Sequence, residues 1–417
     1  MVVILHGHQT LKKEIKYVLW GSLLVQVTHE VVHGQSELEK ALTDGKTTLN
    51  ARLRYEHAEV GSLEDADALT VRTRLGYKTG SFYGFKSFVE LEDTTALNDD
   101  TDYSVPAPAD QKVPGTSIIA DPEGTQINRF WLGYDIDNHT SLKLGRQRIV
   151  LDNARFIGNV GWRQAEQTYD GFSLKSSYIE NTDVYYAYLT QRNTIFYTDT
   201  DTDSHLFNLS YSGISNNTLT GYAYLLDFDN NQINSTDTFG ISSVGNYKLG
   251  ENSLSYRLEY AHQQEGDSSP LEYEADYFHA NLTGSNSGFT AGLGYEVLGS
   301  DNGITAFKTP LATLHAFNGF ADLFLNTPNN GLEDIYISLG YKLFNTPIKL
   351  FYHDYSANEG GEDFGTEFDL VISHKISDAT SILGKFASFS SDSSRPDIDR
   401  FWVQVDYKFW CICFFEK

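Results

Sequence analysis

The feature that most constrains the fold is a series of short segments in which apolar and polar residues alternate with a period of two. Eighteen such segments of 8 to 12 residues occur between residues 47 and 409, separated by clusters of Gly, Asn, Asp and Ser. This period predicts β-strands. The links after odd-numbered segments hold 7 to 35 residues, whereas those after even-numbered segments hold 2 to 4. Such an alternation predicts an antiparallel barrel with long loops at one end and short turns at the other.

The composition agrees with strands that cross a membrane. Aromatic residues make up 14% of the chain, and all 9 prolines fall outside the predicted strands, where a missing backbone donor is tolerated. No apolar run reaches the roughly 18 residues that a membrane-spanning helix needs. The sequence therefore predicts an all-β fold: a closed antiparallel transmembrane β-barrel of 18 strands, with long extracellular loops and short periplasmic turns, in the outer membrane of a Gram-negative bacterium.

Charge and cysteine content exclude other classes of protein. The 31 basic and 56 acidic side chains give a net charge of −25, which argues against a nucleic-acid partner. Cys411 and Cys413 are the only cysteines and lie too close together to close a stabilising loop. The expected partners are instead the lipid and lipopolysaccharide of the outer membrane.

The two ends of the chain differ from its middle. Residues 1–34 resemble a signal peptide, because three lysines precede an apolar run at 17–27 and a small residue follows it. Residues 35–409 form the predicted barrel, and its last strand alternates up to Phe409, an aromatic end characteristic of strands that the barrel-assembly machinery recognises. Residues 410–417 break the alternation and are predicted to be an appendage.

The sequence bears on two classes of enzyme. His29, Glu30 and His33 have the spacing of a zinc-protease helix. That chemistry needs a packed lobe and a third ligand, whereas the pattern lies beside a short secretory segment, so we interpret it as coincidental. A surface lipase needs a serine, a histidine and a polar orienting group at the rim, and the sequence suggests no such set. We predict no enzymatic activity.

The first hairpin assigns the two faces of the barrel. In each of its strands apolar residues alternate with two arginines. Placing a basic residue on the lipid side at mid-membrane costs about 2 to 4 kcal/mol, so inverting four would cost on the order of 8 to 16 kcal/mol. The arginines predicted to face the lumen are Arg52, Arg54, Arg72 and Arg74. Aromatic residues near strand ends, Trp402 among them, fit interfacial girdles.

Three segments resemble the alginate export family of outer-membrane barrels: Gly145–Ile149, Arg155–Gly171 and Thr309–Asp322. The resemblance implies a monomeric channel of 18 strands whose arginine-rich lumen passes an anionic polysaccharide or another acidic solute. The long loops at 94–125 and 298–332 are long enough to fold inward as a constriction. Further candidates for pore-lining, anion-binding residues are Arg129, Arg146, Arg148, Arg155, Arg163 and Arg257.

An alternative reading of these arginines stays open. Each is equally well explained as one half of a structural ion pair. The candidate partners are Glu90, Glu92, Asp152, Glu166 and Asp170.

Acidic runs in two predicted external loops suggest a second type of site. Carboxylate oxygens suit Ca²⁺ or Mg²⁺, which would bridge the rim to lipopolysaccharide; the alternative is a solvated rim without bound ions. The candidate ligands are Asp99, Asp100, Asp102, Asp199, Asp201 and Asp203. No other cofactor is expected.

The predicted function is diffusive passage of anionic solutes, including acidic oligosaccharides or polysaccharides such as alginate and uronates. A non-specific general porin and a plugged structural or adhesive barrel are the alternatives.

Overall fold

The structure, a computed structural model, describes residues 32–99 and 101–412. His29 and Glu30 of the zinc-protease pattern, most of the signal-like segment, Asp100 and the last five residues lie outside this part of the chain. The described chain starts with helix α1, Val32–Thr43, which crosses the predicted boundary at residue 35. Among the described residues, no helix has the length and apolar character required to cross a membrane.

Eighteen strands form one sheet, as predicted. They are β1 Lys46–Val60, β2 Ala66–Lys78, β3 Phe85–Ala96, β4 Gly124–Asp135, β5 Thr140–Gln147, β6 Thr168–Ser176, β7 Thr182–Asn193, β8 Asp199–Ile214, β9 Asn217–Leu226, β10 Thr236–Leu249, β11 Asn252–Glu265, β12 Glu274–Asn286, β13 Phe289–Leu298, β14 Leu332–Leu343, β15 Thr346–Ser356, β16 Asp363–Lys375, β17 Thr380–Ser391 and β18 Ile398–Ile412.

The sheet closes on itself. Each strand pairs antiparallel with its neighbours in the chain, and β1 pairs with both β2 and β18, so the ladder has no free edge. Closure satisfies every strand's backbone within the membrane, which explains how a chain without a disulfide framework reaches stability. A short additional hairpin, Ser300–Asp301 with Thr305–Ala306, lies in the loop between β13 and β14.

Three boundaries differ from the sequence-based expectation. The last strand does not end at Phe409, because its ladder with β1 continues to Ile412. Pro347 lies inside β15, one residue from its periplasmic start, where a strand tolerates a missing N–H. The aspartates at 199, 201 and 203 belong to β8 rather than to a loop. The residues of the short periplasmic turns do not indicate at which residue a neighbouring strand begins or ends.

The two faces follow the predicted alternation. On the first hairpin Leu53 and Leu75 are 42% and 51% exposed on the outer surface, whereas Arg54 and Arg72 are 0% and 1% exposed inside. Trp402 differs from its girdle assignment, since it is fully buried and points inward between two outward-facing neighbours. Residues two apart in a strand point to the same face, and Gln404, two residues further on, belongs to the inner face.

Much of the interior is filled by loops. The segments 97–123, 148–167 and 299–331 each bury residues inside the barrel. An apolar core joins the last two of these loops to the inner wall on β6–β9 and β11–β18. The two strands whose faces the sequence left ambiguous, β7 and β9, contribute inward-facing Leu189 and Tyr224 to this core. Both faces of these strands are apolar because one contacts lipid and the other contacts the loops.

Candidate functional site

Two inward loops form a single constriction. Segment 148–167, called the constriction loop below, pairs with segment 299–331 through a bridge between Ile157 and Leu311. The Gly158 N–H donates to the Leu311 carbonyl at 2.8 Å, and the Thr313 N–H donates to the Ala154 carbonyl at 3.0 Å. The loops therefore act on the lumen as one body.

The arginines of the first hairpin contact the backbone of the constriction loop. Arg52 Nη1 lies 3.2, 2.9 and 3.2 Å from the carbonyl oxygens of Gly161, Trp162 and Arg163. Arg54 Nη2 donates to the Trp162 carbonyl at 2.5 Å, and its guanidinium stacks 4.1 Å above the Trp162 ring.

The next two arginines contact the following residue of the loop. Arg72 Nη1 and Arg74 Nη2 donate to the Gln164 carbonyl at 3.3 and 3.1 Å. The loop N–H of Gln164 in turn donates to Asp121 at 2.7 Å. Residues 161–164 thus find in side chains the partners that regular secondary structure would otherwise supply.

A polar cluster ties the loops to the wall near Trp402. Arg163 contacts Glu56 at 2.9 Å and Asp322 at 2.6 Å. His315 Nδ1 lies 2.7 Å from Asp322, and its Nε2 accepts from Lys385 at 2.7 Å. This arrangement requires a neutral His315 that donates through Nδ1.

The protonation states of the loop residues agree with this cluster. Burial lowers the pKa of His315 to about 3, and the opposing effect of Asp322 is smaller. Burial alone would raise the pKa of Asp322, but His315 and Arg163 outweigh it and hold the carboxyl ionised well below its usual range. Burial likewise opposes ionisation of Glu166, and Arg74 with Arg148 reverses the effect, so the pKa of Glu166 is strongly lowered.

Most other predicted arginines form ion pairs. Arg129 binds Glu90 through two nitrogens at 2.8 and 2.7 Å. Arg148 binds Glu166 at 2.6 and 2.5 Å. Arg155 forms an ion pair with Glu296, and Arg257 forms one with Glu259, both at 2.8 Å. The ion-pair reading that the sequence left open therefore describes these contacts.

Arg146 differs from the pore-lining expectation. Its partners across the sheet are Phe130 and Asp170, and it binds Asp170 at 2.8 Å. Phe130 is outward-facing and 39% exposed, so strand parity puts Arg146 on the outer face, whereas the adjacent Gln147 is buried inside. Neighbouring residues of a strand point to opposite faces, so a shift of one residue moves an arginine from the lumen to the outer surface. Arg146 lies where β5 passes into the constriction loop, and there the sequence alternation no longer indicates which face a residue occupies.

Lysines that the sequence reading missed line the periplasmic half of the lumen. By strand parity, inward-facing positions are occupied by Lys78, Lys86, Lys143, Lys175, Lys248, Lys342, Lys349 and Lys408. Lys78 and Lys143 lie 5.9 and 5.2 Å from the Trp131 ring. In the described part of the chain, neither Lys143 nor Lys175 has a carboxylate within ion-pair distance. The alternation of inward-facing and outward-facing positions within each strand is the sequence signal that could have identified these lysines.

A recess opens from this lysine-lined region. Its volume is about 300 Å³, and its lining combines the basic residues Lys143, Lys175 and Arg148 with Asp183 and with uncharged polar groups. Those polar groups include Ser141, Ser173, Asn208 and Ser210. The recess also holds Asp152, whose pKa is raised because burial disfavours its charged form.

The candidate cation ligands do not form a compact site within the residues described. Asp99 and Asp102 are joined by a hydrogen bond from the Asp99 N–H to the Asp102 carboxylate at 3.2 Å. Asp199, Asp201 and Asp203 alternate as exposed residues along β8 and so extend along the strand. A different group, His57 with Glu59 and Asp65, brings ligand atoms within 4.8 Å of one another at the outer rim.

Solved outer-membrane proteins share the whole fold. OpdK of Pseudomonas aeruginosa, in a structure with vanillate, matches with a TM-score of 0.71 and 14% identity, over 89% of this chain and 100% of that chain. OccAB2 of Acinetobacter baumannii matches with a TM-score of 0.72 and 16% identity, over 89% and 99%. A comparison with curated proteins found no match.

A family model supplies the assignment. The model described as alginate export matches residues 47–299, more than half of the 417 residues. This match agrees with the prediction of a barrel channel rather than an enzyme. The chain belongs to the alginate export family.

Proposed function

We propose that the barrel is a channel for anionic solutes in the outer membrane of a Gram-negative bacterium. The observation that carries the proposal is the segregation of charge: a chain of net charge −25 places a set of lysines on the inner face of its periplasmic half. A basic, water-filled passage raises the local concentration of anions and lowers that of cations.

The lining favours hydroxylated anions. In the recess, Lys143 and Lys175 supply charge with no ion-pair partner among the residues that the structure describes, and serine and asparagine side chains supply hydrogen bonds. Weak, multiple contacts of this kind permit both entry and exit of a solute. Uronates and short acidic oligosaccharides, including those of alginate, combine a carboxylate with hydroxyl groups, and we propose them as the solute class.

The second candidate is a barrel closed by its loops, with a structural or adhesive role. The apolar core between the loops and most of the wall, on β6–β9 and β11–β18, favours it. The proposed passage therefore runs along β2 to β5, none of whose described residues belongs to that core and where Lys78, Lys143 and Trp131 lie.

Reversal potentials across planar bilayers under a salt gradient test the proposal. The full chain should be anion-selective, and Lys143→Gln combined with Lys175→Gln should lower that preference. The control is Lys112→Gln, which removes one lysine charge from an exposed position of an external loop and is compared with Lys143→Gln and Lys175→Gln singly as well as with the double variant. Cation selectivity of the unchanged protein would refute the anion proposal, and the absence of conductance would favour the closed barrel.

Solute identity needs a separate measurement. Liposomes containing the protein should admit glucuronate faster than glucose, a neutral sugar of similar size, because only the former gains from the lysines. Equal rates for the two would support a general porin instead.

The surroundings form part of the same proposal. The outer surface would contact lipid and lipopolysaccharide, and the barrel-assembly machinery would recognise the end of β18 around Phe409. Ca²⁺ or Mg²⁺ at the acidic rim stays a proposal, and a lower melting temperature in the presence of a chelator would support it.

A further inference from the structure

The structure assigns a different task to the arginines of the first hairpin than contact with the solute. We propose that Arg52, Arg54, Arg72 and Arg74 are positioning residues that fix the aperture by holding the backbone carbonyls of residues 161–164. The inference rests on the proposed channel function but not on the sign of the transported charge.

The contacts of the four arginines fall on four consecutive residues of the constriction loop. Going up β1, Arg52 reaches the carbonyls of residues 161–163 and Arg54 reaches that of Trp162. On the neighbouring strand β2, Arg72 and Arg74 both reach the carbonyl of Gln164. The four guanidinium groups thus form one continuous donor surface, called the arginine clamp below, beneath one turn of the constriction loop.

Burial separates the clamp from the solute path. Arg54, Arg72 and Arg74 are 0%, 1% and 6% exposed, so little of their surface is left for a passing anion. Arg54 is further covered by the ring of Trp162. The lysines that line the periplasmic half of the lumen, called the vestibule below, by contrast include exposed side chains such as Lys175.

Other side chains engage further donors of all four arginines: Arg72 donates to Asn50, while its Nε has no hydrogen-bond partner among the residues described. Arg52 Nε binds Asp406 at 3.0 Å, Arg54 Nη1 binds Asp121 at 3.2 Å, and Arg74 Nε binds Glu92. These carboxylates hold the guanidinium groups of Arg52, Arg54 and Arg74 at a fixed angle while their other nitrogens face the loop. A planar fork with several donors suits this double role, which the single ammonium of lysine does not.

The expected consequence is a separation of two properties. Aperture and stability of the open current should depend on the clamp, whereas anion preference should depend on the lysines. Each charge-assisted hydrogen bond that is lost should raise the population of displaced loop conformations by about tenfold, the factor that corresponds to its typical strength.

The experiment combines polymer exclusion with reversal potentials in planar bilayers. The test variant is Arg52→Gln with Arg54→Gln, and Arg52→Lys with Arg54→Lys keeps the charge but removes the fork. The matched control is Arg257→Gln, because Arg257 faces the lumen and binds Glu259 without contacting residues 161–164. Heat-modifiable electrophoretic mobility verifies that each barrel is folded.

The clamp predicts that both double variants admit larger polyethylene glycols and show noisier open currents, with reversal potentials equal to those of the unchanged protein. Arg257→Gln should leave the size limit unchanged. An unchanged size limit in both double variants would overturn the inference, as would a change of reversal potential in the Gln variant that the Lys variant does not show.

Other outcomes are also decisive. If the Gln variant does not fold, the Lys variant alone decides through its size limit. If the unchanged protein shows no current, a current through the Lys variant supports the clamp. The absence of current in both the unchanged protein and the Lys variant refutes it. Cation selectivity of the unchanged protein would refute the proposed solute while leaving the size measurement to decide on the clamp.

Discussion

Replacing Glu56 with Gln tests whether the loops are held by the buried charges that surround them. Glu56 is fully buried on the inner face of β1. It accepts from Arg163 at 3.2 and 2.9 Å and from Arg400 at 3.2 Å. The amide of Gln keeps the shape but removes the charge, and its NH₂ group faces a guanidinium with which it cannot form a hydrogen bond.

The magnitude follows from what each guanidinium retains. Removing one member of a buried ion pair costs about 3 to 5 kcal/mol when the other charge is left alone. Arg163 keeps Asp322 at 2.6 Å, and Arg400 keeps the carbonyl of Ala321 at 3.0 Å. Since both charges stay partly compensated, we expect the lower end, a loss of about 3 kcal/mol in the free energy of unfolding.

The assay is denaturant unfolding of the barrel in lipid vesicles, followed by electrophoretic mobility and tryptophan fluorescence. Glu59→Gln is the matched control, because Glu59 is exposed on the same strand and should change the free energy by less than about 0.5 kcal/mol. Equal midpoints for the two variants would refute the argument. A double-mutant cycle with Arg163→Gln should yield a coupling energy of about 1 kcal/mol or more, and additivity would mean that the pair contributes no energy.

Two further predictions concern a histidine in the loop that pairs with the constriction loop and a glycine with positive φ in β5. His315 binds fewer protons when folded than when unfolded, because its pKa falls from 6.5 to about 3, so stability should decrease as the pH is lowered through this window. Melting temperatures at pH 7 and pH 4 should therefore differ more for the unchanged protein than for His315→Gln, and an equal decrease would contradict the assignment. Gly145 has φ +117 and a space that the Phe130 carbonyl closes to any Cβ, so Gly145→Ala should cost about 1 to 3 kcal/mol by denaturant unfolding. Gly221→Ala, where no atom lies within 4 Å of an added Cβ, is its control, and equal effects would contradict the steric argument.

The fold was accessible from the sequence because a barrel repeats one local rule. Apolar and polar residues alternate in each strand, and the external links are free to be long. The arginines of β1 and β2 could therefore face only the lumen, where water or polar partners are available. The exact limits of β8 and β18 were less accessible, since the aspartates of β8 and the apolar end of β18 carry no signal for where a ladder with a neighbouring strand stops.

The site was less accessible, for a physical reason. Alternation gives the face of Arg54 but not what fills the space in front of it, and that space is occupied by a loop more than 100 residues away in sequence. The direction of a loop carbonyl, such as that of Trp162, depends on backbone angles that composition does not encode. Trp402 shows the same limit, because an aromatic residue near a strand end suits a girdle and a lumen core equally well.

A net charge of −25 and an anion-selective passage are compatible because electrostatic effects in salt solution are local. Interactions between exposed charges are largely screened beyond about 8 Å at physiological ionic strength. The exposed aspartates of β8 lie at its extracellular end, whereas Lys143 and Lys175 lie on the inner face of the periplasmic half. A strand of this length places the two regions several screening lengths apart. The charge that an anion meets in the vestibule is therefore set by the lysines around it, and the total charge of the chain gives no information about selectivity.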